Sequence, residues 1–284
     1  MRRFYIIANE TKERGLANAG VIERYLKDRG CSCRIAEVGE RPAPPYRYTD
    51  PEKIPQDMEC IIVLGGDGTL LQAARDVVET QIPLIGINFG DLGFLAEVDR
   101  SSMYTALDKL ICDEATIEER MMLEGEIIRD GKIIGNDIAL NDIVICRDGN
   151  LRVVKFINYV NGEYLNAYPA DGIIISTPTG STGYSLSAGG PIVAPRAMMT
   201  IMTPIAPHTM NTRSIVFPGD DVLTIEIGQR RQEDTEKCIA AFDGGTLVEM
   251  KTGDRIRITK ADVKARIFKL NHLSFVEVLR RKMR

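Results

Sequence analysis

Ile61-Ile62-Val63-Leu64-Gly65-Gly66-Asp67-Gly68-Thr69-Leu70-Leu71 decides the fold. The run Cys60–Leu64 is apolar throughout, without the alternation of a half-wet strand, and so reads as a strand covered on both faces. After the glycines, Thr69–Thr80 repeats its apolar residues at helical spacing and would bury Leu70, Ala73, Ala74 and Val77. Strand, glycine turn and helix in that order belong to a parallel sheet wrapped by helices. Working outward, Phe4–Ala8, the helical pattern Arg14–Arg29 and Cys33–Val38 make a βαβ opening, and Pro83–Ile87 adds another buried strand. Between them Arg41–Pro55 carries five of the 13 prolines, which forbids a helix and predicts a surface loop.

From about residue 120 the pattern changes to short alternating strands separated by turn signals, as in an all-β sandwich. Asp130-Gly131, Asn161-Gly162 and Thr252-Gly253-Asp254 each divide two such runs, and Asn161-Gly162 suits a type I′ hairpin best. After the last of them Ser274 can cap a helix carrying Phe275, Val276, Val278 and Leu279, which needs a surface to dock on and is expected to return to the first domain. The predicted organisation is an α/β domain with a parallel sheet, residues 1–115 plus 268–284, and an all-β sandwich domain, residues 116–267.

Composition narrows the function. With 36 Lys and Arg against 40 Asp and Glu, scattered in both signs, the net charge is −4, so no basic footprint for nucleic acid is present. A hydrophobic share of 44% with 27% charged residues is that of an ordinary soluble globular protein. Phe4–Ala8 is too short for the apolar region of a signal peptide and no later run reaches membrane-spanning length, so a cytoplasmic address and no membrane partner are expected. Cys31, Cys33, Cys60, Cys112, Cys146 and Cys238 lack a C-x-x-C spacing and read as small core residues rather than a disulfide framework or a zinc site. His208 and His272 are the only histidines, which removes chemistries that need a His cluster.

The turn at 65–68 suits a phosphate. Gly65, Gly66 and Gly68 let the backbone approach an anion and aim N–H groups at it, and the helix after them adds the positive end of its dipole. A P-loop needs G-x-x-x-x-G-K-[ST] and a dinucleotide fingerprint needs G-x-G-x-x-G, and neither occurs. Asp67 stands in the middle, where its charge repels a phosphate unless a cation intervenes or it accepts a proton, so Mg²⁺ bridging or general-base work is expected of it. The plain alternative is a tight turn with a capping aspartate. A second stretch, Asp171 to Pro191, holds 12 Gly, Ser or Thr among 21 residues directly after an apolar strand. Its hydroxyls and N–H groups suit ribose and phosphate oxygens, and Tyr184 offers a face for a base. In the third, Asn141-Asp142 interrupts the apolar run Ala139–Ile145, which marks either ligand contact or a break in strand register.

At these residues the sequence resembles the bacterial NAD kinase family. The match rests on Gly65-Gly66-Asp67-Gly68-Thr69, Gly86-Ile87-Asn88 to Gly90, Leu92-Gly93-Phe94-Leu95, Arg120 with Leu123, Asn141-Asp142, the Ser176–Pro191 loop, Pro207-His208-Thr209 and Asp243-Gly244. Asp142 stands where the family usually has Glu, Gly183 where it has Ala, Gly245 where it has Gln, and Phe89 where many members are polar. The resemblance implies phosphoryl transfer from ATP or polyphosphate, with Mg²⁺ or another divalent cation, to the 2′-hydroxyl of the adenosine ribose of NAD, giving NADP. It implies Asp67 as the proton acceptor, with the dinucleotide contacted at Gly66, Asp67, Gly68, Asn141, Asp142, Arg152, Asp171, Thr182, Gly183, Tyr184, Ser185, Leu186 and Ser187. No protein metal ligand is implied, and a homo-oligomer, dimer or tetramer, is. Two rivals share the glycine turn or the pocket: a diacylglycerol- or sphingosine-type lipid kinase, which would want a membrane-facing surface, and a non-catalytic dinucleotide sensor.

Overall fold

The computed structural model describes residues 1–8, 13–36, 48–90, 93–96, 98–149, 152–229, 235–270 and 274–282. Residues 41–47 of the proline-rich loop, the end of the expected strand at 37–38, and Leu92 and His272 lie outside those residues. Two compact units divide the chain: Met1–Arg120 with Lys264–Arg284, and Met121–Val263.

The first unit opens with β1 (Arg3–Ala8), α1 (Glu13–Asp28) and β2 (Ser32–Ile35), continues with β3 (Cys60–Leu64), α2 (Asp67–Val77) and β4 (Leu84–Asn88), and then runs through β5 (Val98–Asp99) and α3 (Met103–Ile111). β1 pairs in parallel with β2 and β3, β3 with β4, and β4 with β5. Every residue of β3 and β4 is buried, as an unbroken apolar strand in a covered parallel sheet requires. Phe4, Ile6, Ile22, Leu26, Ile62 and Leu107 belong to its core. Cys31, Cys33 and Cys60 lie in the same core, where burial pushes the Cys33 thiol up to about 12. Cys112 is exposed, against the expectation that all six cysteines are internal. Helix α2 begins at Asp67, two residues before the apolar period suggested, because its N-cap is the extended Gly66 and its first buried apolar residue comes only at Leu70.

The second unit is a sandwich of two antiparallel sheets. β6 (Thr116–Arg129), β7 (Lys132–Ala139), β8 (Asp142–Arg147), β9 (Val154–Val160), β10 (Glu163–Ala170) and β11 (Gly172–Ser176) precede the short helix α4 (Tyr184–Ser187). β12 (Met199–Ile205), β13 (Ile215–Pro218), β14 (Leu223–Gly228), β15 (Lys237–Phe242), β16 (Thr246–Lys251) and β17 (Arg255–Lys269) follow. One sheet runs β10-β9-β14-β17, with β6 against β17 and β7 against β6, and the other runs β13-β12-β11-β8-β15-β16. Both sheets feed one core that includes Leu123, Ile143, Phe156, Ile175, Ile225 and Phe242.

Asp130-Gly131 and Asn161-Gly162 are hairpin turns with both residues at positive φ, as their sequence predicts. Thr252-Gly253-Asp254 is not a hairpin: β16 and β17 belong to different sheets, and the turn carries the chain across the core. Leu140 and Asn141 make a similar crossing from β7 to β8. The missed hairpin is Asp243-Gly244, which joins β15 to β16.

The end of β17 returns to the first unit. Ile267 pairs in parallel with Leu84 of β4, and Phe268 and Leu270 enter that unit's core. α5 (Phe275–Lys282) follows, with Ser274 Oγ accepting the Glu277 N–H at 3.2 Å as the expected cap. The expected apolar stripe is only partly used, since Val276 is 71% exposed, while the Lys282 ammonium lies 5.8 Å from the Phe94 ring centre. Among the described residues no helix is long and apolar enough to cross a membrane.

Candidate active site

In the first unit the site forms where parallel strands end, the place open α/β sheets use for ligands. The Gly65 N–H bonds the Ile87 carbonyl at 3.1 Å and so ties the turn after β3 to the end of β4. Asp67 is the first residue of α2, where the N–H groups of a helix have no partner within it and the dipole is positive. Its carboxylate is half-buried and accepts three consecutive backbone N–H groups. Phe94 donates to Oδ2 at 2.7 Å, Ala96 donates to Oδ1 at 3.1 Å, and Leu95 reaches both oxygens at 3.3 and 3.4 Å. These fixed amide dipoles hold the carboxylate in place beside the glycine turn. Gly93 is part of the same arrangement, since a β-carbon there would fall on the Asp67 carboxylate.

The second unit holds Asn141 and Asp142 at the crossing between β7 and β8, so the register break and the polar pair are one feature. Crossing between sheets leaves successive N–H groups without a strand partner, and a buried N–H must find one. Asp243 supplies it. Its Oδ2 accepts from Leu140 at 2.7 Å, and its Oδ1 accepts from Asn141 at 2.8 Å and from Asp142 at 3.0 Å. The Asp142 side chain is 6% exposed. Burial first, and then the charge of Asp243, push its carboxyl up to about 7.

The hydroxyl-rich loop closes over this corner. Thr177 Oγ1 donates to the Leu140 carbonyl at 2.6 Å, and Gly180 passes so close to the Asn141 backbone that a β-carbon could not fit. Gly183 lies alongside, its missing β-carbon 3.4 Å from Asn141 Nδ2 and 3.9 Å from Asp142 Oδ2. Two polar atoms here are buried without a hydrogen-bond partner: Asn141 Oδ1 and the hydroxyl of Ser176, which stands opposite Asp142 in register. A buried orphan carries a free-energy cost that a bound polar ligand would relieve.

The loop's hydroxyls divide into two groups. Ser185 is fully buried and shares a hydrogen bond with Thr203 at 3.1 Å, and Ser181 bonds the Pro178 carbonyl at 2.6 Å, so both hold the loop rather than face a ligand. Tyr184, Leu186 and Ser187 are exposed and Thr182 is half-buried, so these remain available for contact.

Asp171 is not brought to this corner. It precedes Gly172, which pairs with Cys146, whereas Asp142 pairs with Ser176 at the other end of the same two strands. There it forms an ion pair with Arg147, Nε to Oδ1 at 2.9 Å. Arg152 lies exposed in the segment before β9. Sequence reasoning assigned no site role to Ser176, the amides of 94–96 or Asp243, although Ser176, Phe94, Leu95 and Asp243 each fall in a stretch that carries the family resemblance.

A parallel-sheet unit with a glycine turn and helix N-terminus at its strand ends, and a β-sandwich unit with a hydroxyl-rich loop over unsatisfied polar groups, are the parts of a nucleotide-handling α/β-plus-β protein. Residues 4–115 match the ATP-NAD kinase N-terminal domain and residues 140–270 the ATP-NAD kinase C-terminal domain. An NAD kinase of Lachnospira eligens is 44% identical over 294 aligned positions, covering 100% of both chains. One from Agathobacter rectalis is 45% identical over 283, covering 100% of this chain and 99% of its own. The chain belongs to the NAD kinase family. Its fold is shared with the crystal structure of yeast NADH kinase complexed with NADH, at TM-score 0.81 and 23% identity over 100% of this chain and 87% of that one. It is also shared with an NAD kinase from Archaeoglobus fulgidus in complex with ATP, at TM-score 0.73 and 23% identity over 95% and 94% of the two chains. These matches favour neither a lipid kinase nor a non-catalytic sensor.

Proposed function

We propose that this chain transfers the terminal phosphoryl group of ATP, or of polyphosphate, to the 2′-hydroxyl of the adenosine ribose of NAD, forming NADP. The observation that carries the reading is the Asp67 carboxylate, held by the 94–96 amides at the end of the parallel sheet. In the reaction the 2′-oxygen bonds to the phosphorus as the bond to the leaving phosphate breaks, and the hydroxyl proton passes to Asp67. Such a transition state is loose, so positioning and charge neutralisation outweigh base strength. Gly66 and Gly68, beside the start of α2, suit a phosphate, and the second unit supplies Asn141, Asp142, Thr182, Gly183, Tyr184, Leu186 and Ser187 for the dinucleotide. Ser185 serves by holding the loop. Asp171 and Arg152 are assigned to dinucleotide binding on the family resemblance alone. The division of labour falls to residues 1–115 with 268–284 for the catalytic carboxylate and 116–267 for the dinucleotide.

Among the described residues no group of three or more His, Cys, Asp or Glu is placed to hold a metal. A divalent cation carried on the donor's phosphate oxygens would neutralise charge there. Edge strand β13 with exposed Val216, exposed Met199 paired against it on β12, and exposed Met210 in the connection between them support a homo-oligomer, which light scattering would size. Free cysteines throughout the described chain suit a cytoplasmic address. The decisive experiment incubates the protein with NAD, Mg²⁺ and either ATP or polyphosphate and measures NADP. Formation of NADP ranks the donors, and its absence with both refutes the reading.

A further inference from the structure

We propose that Asp243 is a positioning residue for dinucleotide binding: through the N–H groups of Leu140, Asn141 and Asp142 it holds the Asn141–Asp142 corner in its ligand-ready shape. The inference rests on the kinase reading above and deepens it.

The argument starts from what the turn does not need. Asp130-Gly131 and Asn161-Gly162 adopt the same pair of positive φ values as Asp243-Gly244, at 50° and 75° and at 51° and 84° against 48° and 65°. In a turn of this kind the aspartate is chosen for tolerating positive φ, and its carboxylate is free to face water. The Asn161 side chain also reaches beyond its turn, donating to Asp221 and accepting the Val222 N–H some 60 residues on, but it satisfies only one backbone amide. The Asp243 carboxylate is instead spent on three consecutive amides of a segment 101 to 103 residues away. Its own N–H donates to the Asp142 carbonyl at 3.0 Å, so the contact is made in both directions. That segment cannot satisfy its amides in a ladder, because it is passing from one sheet to the other. Thr177 bonds the carbonyls of Leu140 and Asn141, so without Asp243 the crossing would keep those contacts but leave its three amides without an acceptor.

Asp243 also sets the charge of the corner. Around the Asp142 carboxyl stand Ser176 from β11, Gly183 from the hydroxyl-rich loop, Asn141 beside it and Asp243 from the hairpin. Of these only Asp243 ionises, and its negative charge, added to burial, favours a proton on Asp142. Asp142 therefore changes charge near neutrality, and an ionised Asp142 accepts hydrogen bonds from a ribose diol better than a protonated one does.

Two variants separate shape from charge in the full-length enzyme. Asp243→Asn keeps the shape and one carbonyl oxygen and removes the charge. It should raise KM for NAD by roughly tenfold, the loss of one charge-assisted hydrogen bond, with kcat nearly unchanged. The midpoint of the pH dependence of KM should also fall, by about half a pH unit or more. Asp243→Glu keeps the charge and misplaces it, so KM should rise with no fall in the midpoint. Asp130→Asn, at the matching turn, should change neither. In the native enzyme the amides of Leu140, Asn141 and Asp142 should exchange slowly with deuterated water, which tests the contact even if a variant does not fold. If both Asp243 variants match the wild type in KM and midpoint, or those amides exchange freely, the proposal is overturned. A fall in kcat and melting temperature with KM and midpoint unmoved would make Asp243 merely structural and overturn it too. If the wild type itself makes no NADP, it is the kinase reading that has failed.

Discussion

Asp67 anchors a loop through its carboxylate and, in the proposed reaction, takes the hydroxyl proton, and the two duties predict different mutant behaviour. Asp67→Asn should leave NAD binding by calorimetry largely intact and lower turnover at least about a hundredfold, the scale of a lost acid–base group. Gly93→Ala keeps the carboxylate but forces it out of its amide cradle, so a similar loss of turnover is expected with Asp67 still present. Near-normal turnover in either variant would remove the cradle from the mechanism. Asp142 makes a stability prediction of definite sign. Its folded-state value of about 7 lies above the ordinary 3.8, so the folded form binds the proton more tightly than the unfolded chain does. The cost of ionising it is absent below pH 4, grows between 4 and 7, and is complete above 7. Asp142→Asn should therefore raise the melting temperature at pH 8 and leave it nearly unchanged at pH 4, while weakening NAD binding. Asp67 and Asn141–Asp142 were legible in the sequence because each is a polar residue where its neighbours dictate none. Asp243 was legible only as part of the Asp243-Gly244 stretch of the resemblance and without a role, since its work is done on amides a hundred residues away and no local pattern records them.

Among the elements, strand and helix order could be read from periodicity, because unbroken apolar runs and helical repeats each bury one kind of surface. What periodicity does not encode is which sheet a strand joins. Alternation along β16 and β17 looks like two arms of a hairpin, yet Thr252-Gly253-Asp254 sends them to opposite sheets. The side chain of Asp254 explains why the turn holds: it accepts the Lys251 N–H at 2.7 Å and pairs with Arg129. Asn161 does similar work in a true hairpin, donating to Asp221 and accepting the Val222 N–H, each at 2.9 Å. Asn161→Ala should lose both bonds and the residue's tolerance of positive φ. Urea denaturation followed by far-ultraviolet circular dichroism should show a destabilisation of about 1–2 kcal/mol. No measurable change would mean that Gly162 alone fixes the turn.

For the whole molecule, the first unit is assembled from two distant parts of the chain. Stopping the chain after Leu270 removes α5, whose residues are half-buried or exposed where described, and should cost little. Stopping it after Val263 also takes away Ile267, Phe268 and Leu270, and with them a strand against β4 and part of the core. That shorter chain should melt at a lower temperature in a separate transition, which calorimetry would resolve, while the second unit keeps its own. A single unchanged transition would show that the return segment is dispensable. The interleaving has a bearing on synthesis. As the polypeptide leaves the ribosome, the sandwich has all its strands in hand before the earlier α/β half has its last one, and the stretch of β4 at Leu84 that Ile267 will pair with waits for most of translation. A nascent chain halted before Ile267 therefore holds Asp67 on an unfinished scaffold, so a segment two hundred residues downstream completes the half that was made first.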